Sequence, residues 1–72
     1  DHLSISYNII SNSTIKIELV NAIGEKVKVI YSGKRSQGSY QEEINMSLLA
    51  SGMYIVRMRI GNQSVYQKVI KL

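Results

Sequence analysis

Apolar residues alternate with polar ones, with a period of two, through most of the chain. In the first segment Leu3, Ile5, Tyr7 and Ile9 are separated by single polar residues. This alternation indicates strands that bury one face and expose the other to solvent. The same pattern recurs in the segments 15–19, 27–31, 40–46 and 54–60. We therefore predict six to seven short strands in an antiparallel, immunoglobulin-like β-sandwich, with a small barrel as the alternative architecture.

The predicted strands differ in how cleanly their two faces separate. In 54–60 Arg57 and Arg59 lie on one face, and the other face carries Tyr54, Val56, Met58 and Ile60. In 40–46 the acidic Glu42 interrupts the apolar face, which indicates an edge position or a frayed strand start. The last strand, 63–72, has mixed faces, one carrying Val65, Gln67 and Val69 and the other Tyr66, Lys68, Ile70 and Leu72.

Glycines mark two of the predicted turns. Gly24 lies in a tight turn over 21–25, because Gly tolerates a positive φ and Asn21 can bond the backbone that follows it. Gly61 and Asn62 are a two-residue signal for a type II′ hairpin turn.

Two further segments are predicted as connections. Residues 47–51 are expected to form one short helical turn, after which Gly52 starts the next strand. Residues 32–39 contain two glycines and the adjacent Lys34 and Arg35. They are expected to form the most exposed and flexible loop of the chain.

A chain of 72 residues supports one domain with a modest core. It contains no Cys, so neither a disulfide framework nor a thiolate zinc site is expected. With His2 as the one histidine, an imidazole-rich metal site is excluded as well, and we expect no cofactor. Residues 1–5 begin in mid-strand pattern, from which we expect the domain 1–72 to be part of a larger protein that carries the main activity.

The formal net charge is +4, from nine Lys and Arg against five Asp and Glu. Because acidic residues lie between the basic ones along the chain, a solvated surface is favoured over a nucleic-acid, lipid or polysaccharide site. Arg57 and Arg59 can form a basic stripe with Lys68 or Lys71 of the last strand, either solvated or bound to phosphate or sulfate. No apolar run approaches the roughly 18 residues that cross a bilayer, so no direct membrane insertion is expected.

The inventory of reactive side chains excludes the common enzyme classes. A Ser–His–acid arrangement would have to use His2, at the start of the chain. Glu42 and Glu43 point to opposite faces of a strand, so they cannot act as a paired acid and base. No glycine-rich phosphate loop follows a strand, and the acidic residues are too scattered for a calcium site. We therefore predict a non-catalytic domain.

The five tyrosines are candidates for stacking on sugars or nucleobases. Four of them lie on the apolar side of their strands, which favours packing in the core. Tyr66 is the one whose side is not settled by the pattern.

One segment resembles a known family. Residues 49–57, Leu-Ala-Ser-Gly-Met-Tyr-Ile-Val-Arg, resemble the Leu-x-x-Gly-x-Tyr motif of type A C-terminal sorting domains. These domains belong to proteins exported by the type IX secretion system of Bacteroidetes-type bacteria. Residues 19–27 are similar to the family's strand, glycine turn and strand, and Gly61 with residues 68–71 to its final hairpin and basic ending.

The resemblance implies a folded signal that directs a cargo protein through the outer membrane. It implies recognition in the periplasm by the type IX translocon. It further implies that a sortase-like cysteine protease at the cell surface removes the domain, as often happens in the family, and joins the cargo to an anionic lipopolysaccharide. By this resemblance the central motif falls on Gly52 and Tyr54 and the family's turns on Gly24 and Gly61. Its basic ending falls on Lys68 and Lys71. We expect the glycines to set backbone geometry and Tyr54 to be a buried anchor.

The last strand is the expected recognition element. An accessible edge strand offers main-chain donors and acceptors to a partner by strand addition. The same edge can pair with a second copy, so a homodimer is a further expectation. Two alternatives stay open: an immunoglobulin- or fibronectin-like accessory module of a secreted enzyme, and a carbohydrate-binding module. The residues expected to carry recognition are Lys68, Val69, Ile70, Lys71 and Leu72.

Overall fold

The computed structural model describes residues 2–72, which form six strands and no helix. No membrane-spanning helix occurs in that part of the chain. The strands are β1 (His2–Ile9), β2 (Ser13–Asn21), β3 (Lys26–Arg35), β4 (Gly38–Asn45), β5 (Gly52–Ile60) and β6 (Gln63–Lys71).

The strands form two antiparallel sheets. The larger has the order β3-β2-β5-β6, and the smaller pairs β1 with β4. The predicted all-β architecture is confirmed, with six strands in two sheets. Because β6 is bonded to β5 alone, the last strand lies at an edge of the larger sheet.

A core forms between the sheets, mainly from β2 and β5. Ile15, Ile17 and Leu19 of β2 are completely buried. Fully burying a side chain of this size stabilises the fold by roughly 1.5–3 kcal/mol. Most residues of the core come from the alternating apolar positions of β2 and β5, as the pattern predicted. The buried cluster consists of Ile9, Ile15, Ile17, Leu19, Ile44, Met46, Tyr54, Val56 and Met58.

Strand β3 departs from the predicted alternation. Val27, Val29 and Tyr31 were expected on one apolar face, yet Val27 and Val29 are 36% and 48% exposed. The pairing of β2 with β3 skips Ile30 and then Val27, so β3 carries two bulges. Each extra residue reverses the side to which the following residues point. Val29 therefore lies on the outer face, opposite Glu18, whereas Tyr31 faces the core.

The expectation of a flexible loop over 32–39 is wrong. Residues 32–35 complete β3 and residues 38–39 begin β4. The guanidinium of Arg35 lies 3.8 Å from the ring centroid of Tyr31 and 4.5 Å from that of Tyr40. Such cation–π contacts stabilise an extended backbone here, because they join the end of β3 to the start of β4.

Glu42 interrupts the apolar face of β4, as predicted, but the structure gives it partners. Its carboxylate accepts a hydrogen bond from the Tyr7 hydroxyl at 2.8 Å and pairs with Arg35 at 3.0 Å. Burial, together with this hydrogen bond, raises the pKa of Tyr7 to about 12. Glu42 is thus a satisfied polar group beside the core, on a strand that is also a sheet edge.

The two predicted glycine turns are present. The Oδ1 atom of Asn21 accepts hydrogen bonds from the N–H groups of Ile23 (3.2 Å) and Glu25 (2.9 Å), and Gly24 has a φ of 87°. Gly61 has a φ of 58° and Asn62 has no positive φ, which matches a type II′ turn. In residues 47–51 the structure has a single hydrogen-bonded turn and no helix, with a hydrogen bond from the Leu49 N–H to the Met46 carbonyl at 3.1 Å.

Candidate recognition site

Three of the four predicted motif and turn glycine or tyrosine residues, Gly24, Gly52 and Tyr54, lie at one end of the sandwich. We call it the motif end and define it as the 21–25 turn, residues 46–52, Tyr54 and Lys71. The turn at Gly24 joins β2 to β3 there, and β5 begins at Gly52. Lys71, at the end of β6, lies directly opposite Gly52. Gly61 lies at the other end of the sheet, where its N–H bonds the Thr14 carbonyl at 3.0 Å.

Tyr54 is the anchor of the motif end. Its side chain is 7% exposed within the core, and its hydroxyl donates a hydrogen bond of 2.6 Å to the Ala50 carbonyl. Leu49, the first residue of the motif, is partly buried against the same core. The Leu-x-x-Gly-x-Tyr spacing thus closes a short loop, because the tyrosine turns back to bond the chain four residues earlier.

Lys71 ties the same loop to the end of β6. Its Nζ atom donates to the carbonyls of Met46 (2.7 Å), Ser47 (3.3 Å) and Leu49 (2.6 Å). An ammonium group has three donors, so these three acceptors use its full hydrogen-bonding capacity. Of the two lysines of the basic ending, Lys71 therefore has its ammonium group bound to carbonyls of its own domain.

The other residues of the predicted recognition strand are more accessible. Lys68 is exposed, Ile70 is 61% exposed and Leu72 is fully exposed. Val69 is half-buried and packs against the core. Lys68 and Ile70 lie on the outer face of the sheet, opposite Ile55 and Met53.

Gly24, Gly52 and Gly61 have φ values of 87°, 145° and 58°. A Cβ atom added at any of the three would meet no atom within 4 Å. These positions therefore require glycine for the backbone conformation and not for space.

A family model described as a secretion system C-terminal sorting domain matches residues 1–72, the whole chain. The chain belongs to this family. It is a type IX secretion C-terminal sorting domain, a class of non-catalytic signals that interact with the type IX system and lead to export to the cell surface or the medium. No curated protein and no solved structure was found to match.

The sorting domain also contains a charge cluster that the sequence did not predict. Glu18, on the outer face of β2, is 6% exposed. Its Oε1 atom accepts hydrogen bonds from Nε (3.2 Å) and Nη2 (2.8 Å) of Arg57, and its Oε2 atom lies 3.5 Å from Lys16 Nζ and 3.3 Å from Lys26 Nζ. The hydrogen bonds from Arg57, with Lys26 and Lys16 in support, lower the pKa of Glu18 to about 2 against the effect of burial.

The sequence contained one signal for this cluster. Glu18 and Arg57 are both outward residues of alternating strands, and they lie directly opposite each other once β2 pairs with β5. Finding the pair required the register between strands 39 residues apart. The basic stripe expected for Arg57 and Arg59 is thus completed by Lys16 and Lys26 as well as Lys68, whereas Lys71 lies elsewhere.

The tyrosines follow the core interpretation. Tyr54 is buried, and Tyr7, Tyr31 and Tyr40 are partly buried against the core. Tyr66, which the pattern left unsettled, is 63% exposed on the outer face. The described part of this sorting domain, residues 2–72, contains no cluster of three or more His, Cys, Asp or Glu residues suited to a metal ion.

Proposed function

We propose that residues 1–72 are the folded export signal of a larger cargo protein. The cargo crosses the periplasm with this domain attached, and the type IX translocon reads the domain. A sortase-like cysteine protease then removes it at the cell surface and attaches the cargo there. The domain itself performs no chemistry. The observation that carries this proposal is the family match over the whole chain.

Recognition takes place through the free edge of β6. This strand is bonded to one neighbour, so alternate main-chain N–H and C=O groups along it lack a partner within the sheet. Ile60 and Gln63 face each other across a two-residue turn and exchange both hydrogen bonds. Counting from that pair, the main-chain groups of four residues point away from β5 and towards a partner strand: Ser64, Tyr66, Lys68 and Ile70.

The surface beside this edge favours strand addition. Val65 lies on the inner side of β6, opposite the buried Met58, yet it is 52% exposed. Gln67 is also exposed on that side. The two-stranded sheet therefore does not cover this part of β6. A strand added to the edge gains main-chain hydrogen bonds and also apolar contact with Val65.

The test is a reporter with residues 1–72 fused to its C-terminus, expressed in a bacterium with a working type IX system. The wild-type fusion is expected at the surface or in the medium. Lys68→Pro removes the outward N–H of β6, at a position where an edge strand tolerates proline. It is expected to leave the reporter in the periplasm. Lys68→Ala removes the ammonium but keeps the N–H and is expected to be exported.

Thermal unfolding of the purified domains shows whether Lys68→Pro still folds. If the folded Lys68→Pro fusion is exported normally, recognition through the β6 edge is wrong. If Lys68→Ala is retained like Lys68→Pro, the ammonium and not the edge is read. Deleting residues 63–72 is the coarser test, and normal export of that deletion would contradict the proposed signal itself. The mass of the exported reporter shows whether the domain has been removed.

The same edge offers a contact between copies. Two domains can pair β6 with β6 and extend the four-stranded sheet across a dimer. Sedimentation of the purified domain over a range of concentrations measures this association. Lys68→Pro is expected to reduce it and Lys68→Ala to leave it unchanged.

A further inference from the structure

Charge is divided unequally between the two sheets. All nine Lys and Arg residues lie on the four strands of the larger sheet. The smaller sheet carries Glu42 and Glu43 and no Lys or Arg. The basic residues are scattered along the sequence, but the fold collects them on the larger sheet.

Six of these cations lie on the outer face of the larger sheet. Cross-strand neighbours share a face, so the strand register places them together. The one acidic residue on this face is Glu18. The six cations are Lys16, Lys26, Lys34, Arg57, Arg59 and Lys68.

Glu18 orders the centre of this face without neutralising it. It holds Arg57, Lys16 and Lys26 within 3.5 Å or less of its two carboxylate oxygens. One negative charge is thus shared among three positive ones, and Arg59 adds a fourth beside them. The side chains form the walls of a groove of about 420 Å³.

Exposed apolar groups lie among the cations. Tyr66 is 63% exposed, Ile70 61% and Val29 48%, and all three are on this outer face. Arg and Tyr together are enriched at the energetically dominant positions of protein–protein interfaces. A sugar-stacking site would need an aromatic platform, whereas the other residues that line the groove beside Tyr66 are charged side chains and Ser64.

We propose that the outer face of the four-stranded sheet docks onto an acidic protein surface, one that presents carboxylates with apolar or aromatic groups between them. The partner carboxylates meet the exposed Arg59 and Lys68 and the partly exposed Arg57. Tyr66 and Ile70 supply the apolar contact. This surface uses side chains on the sheet face. It does not depend on the β6 edge or on export being the domain's function.

The test is direct binding by the purified domain, 1–72, followed by changes in its amide NMR spectrum. The probes are a random copolymer of glutamate and tyrosine, polyglutamate, dextran sulfate and vesicles containing anionic lipid. We expect the copolymer to bind more tightly than the other three. The shifted amides are expected in β5 and β6, around Arg57, Arg59 and Tyr66.

Arg59→Glu and Lys28→Glu form a matched pair, because both reverse one positive charge. Arg59 is exposed on the outer face, whereas Lys28 lies opposite Leu19 on the other side of β3. Arg59→Glu is expected to weaken copolymer binding roughly tenfold, from like-charge repulsion at the contact. Lys28→Glu is expected to change it less than about twofold, the effect of net charge alone.

Three outcomes would overturn the proposal. The first is an equal loss in both variants, which would mean attraction by net charge alone. The second is tighter binding of dextran sulfate or of the vesicles than of the copolymer, which would indicate a polysaccharide or lipid partner. The third is a set of shifted amides on the two-stranded sheet.

Discussion

Glu18 and Tyr54 are buried residues of the larger sheet whose polar atoms make specific hydrogen bonds. Glu18 is almost fully buried among three cations on the outer face. Tyr54 places its ring in the core and its hydroxyl on a loop carbonyl. Leaving a buried polar group without its partner costs about 1–3 kcal/mol. Substitutions at either position therefore act on stability as well as on the local surface.

The depressed pKa of Glu18 links stability to pH. Its pKa falls from the ordinary 4.5 to about 2 in the folded domain, so the carboxylate stabilises the fold fully above pH 4.5. This stabilisation is expected to disappear as the pH falls from 4.5 to 2. Urea unfolding of the wild type and Glu18→Gln at pH 7 and pH 3 measures it.

Glu18→Gln is expected to lower the free energy of unfolding at pH 7 by about 1–3 kcal/mol, with a smaller loss at pH 3. Glu43→Gln, at an exposed carboxylate of β4, is the control and is expected to change little at either pH. A constant difference between wild type and Glu18→Gln at both pH values would contradict the ion-pair explanation.

Tyr54→Phe removes one hydroxyl and leaves the ring in place. The Ala50 carbonyl then loses its 2.6 Å hydrogen bond, so the free energy of unfolding is expected to fall by about 1 kcal/mol. Tyr66→Phe removes an exposed hydroxyl and is expected to stay within about 0.5 kcal/mol of wild type. Chemical denaturation compares the two, and equal effects would show that the Tyr54 hydroxyl has no structural role.

The conformations of β3 and of the 46–51 loop depend on contacts with other strands as well as on their own sequence. Two bulges in β3 bring Ile30 and Tyr31 against the core and leave Val29 outside. The 46–51 loop has little structure of its own, and Tyr54 and Lys71 hold it from two neighbouring strands. The pairing partners of β3 and the Lys71 that holds the loop lie far away in the chain, whereas Tyr54 bonds a carbonyl only four residues earlier.

Substitutions at Val29 and Ile30 test the bulged register directly. Simple alternation would bury Val29 and expose Ile30, and the structure has the reverse. Ile30→Ala is expected to lower the free energy of unfolding by about 1–2 kcal/mol, and Val29→Ala by less than about 0.5 kcal/mol. Denaturation curves that rank the two the other way would place β3 in the unbulged register.

Lys71 is expected to control the motif loop. Lys71→Met keeps much of the side-chain length but removes the donors to three carbonyls. Faster amide hydrogen exchange is expected in residues 47–51, with a loss of about 1 kcal/mol in overall stability. Lys68→Met, on the exposed outer face of the same strand, is the control. Unchanged exchange in Lys71→Met would mean that the loop holds its conformation without the ammonium.

At the scale of the whole molecule, the parts that were predictable are those set by local pattern. The period of two located the strands, and Gly24 and Gly61 located two turns, because strand faces and turn conformations depend on adjacent residues. The order of strands, the β3 bulges and the contacts of Arg35 arise from pairing between distant segments. A single sequence does not show register, so 32–39 looked like a loop although Arg35 joins two strands there.

The candidate site likewise has parts that local sequence predicts and parts that depend on the pairing of distant strands. The motif led to Tyr54 as an anchor, and the terminal segment did become an edge strand. Lys71 looked equivalent to Lys68 as a basic residue near the end of the sequence, but the fold gives it three carbonyl partners. The cluster around Glu18 needed the β2–β5 register before it could be found.

The one-sided charge also affects how copies of the domain meet at high local concentration. Two molecules that approach with their four-stranded sheets face to face bring six cations against six. That repulsion is screened only beyond about 8 Å at physiological ionic strength. Aggregation by stacking of these sheets is therefore disfavoured, and crowded domains are left to meet by their strand edges or by the weakly acidic side formed by β1 and β4.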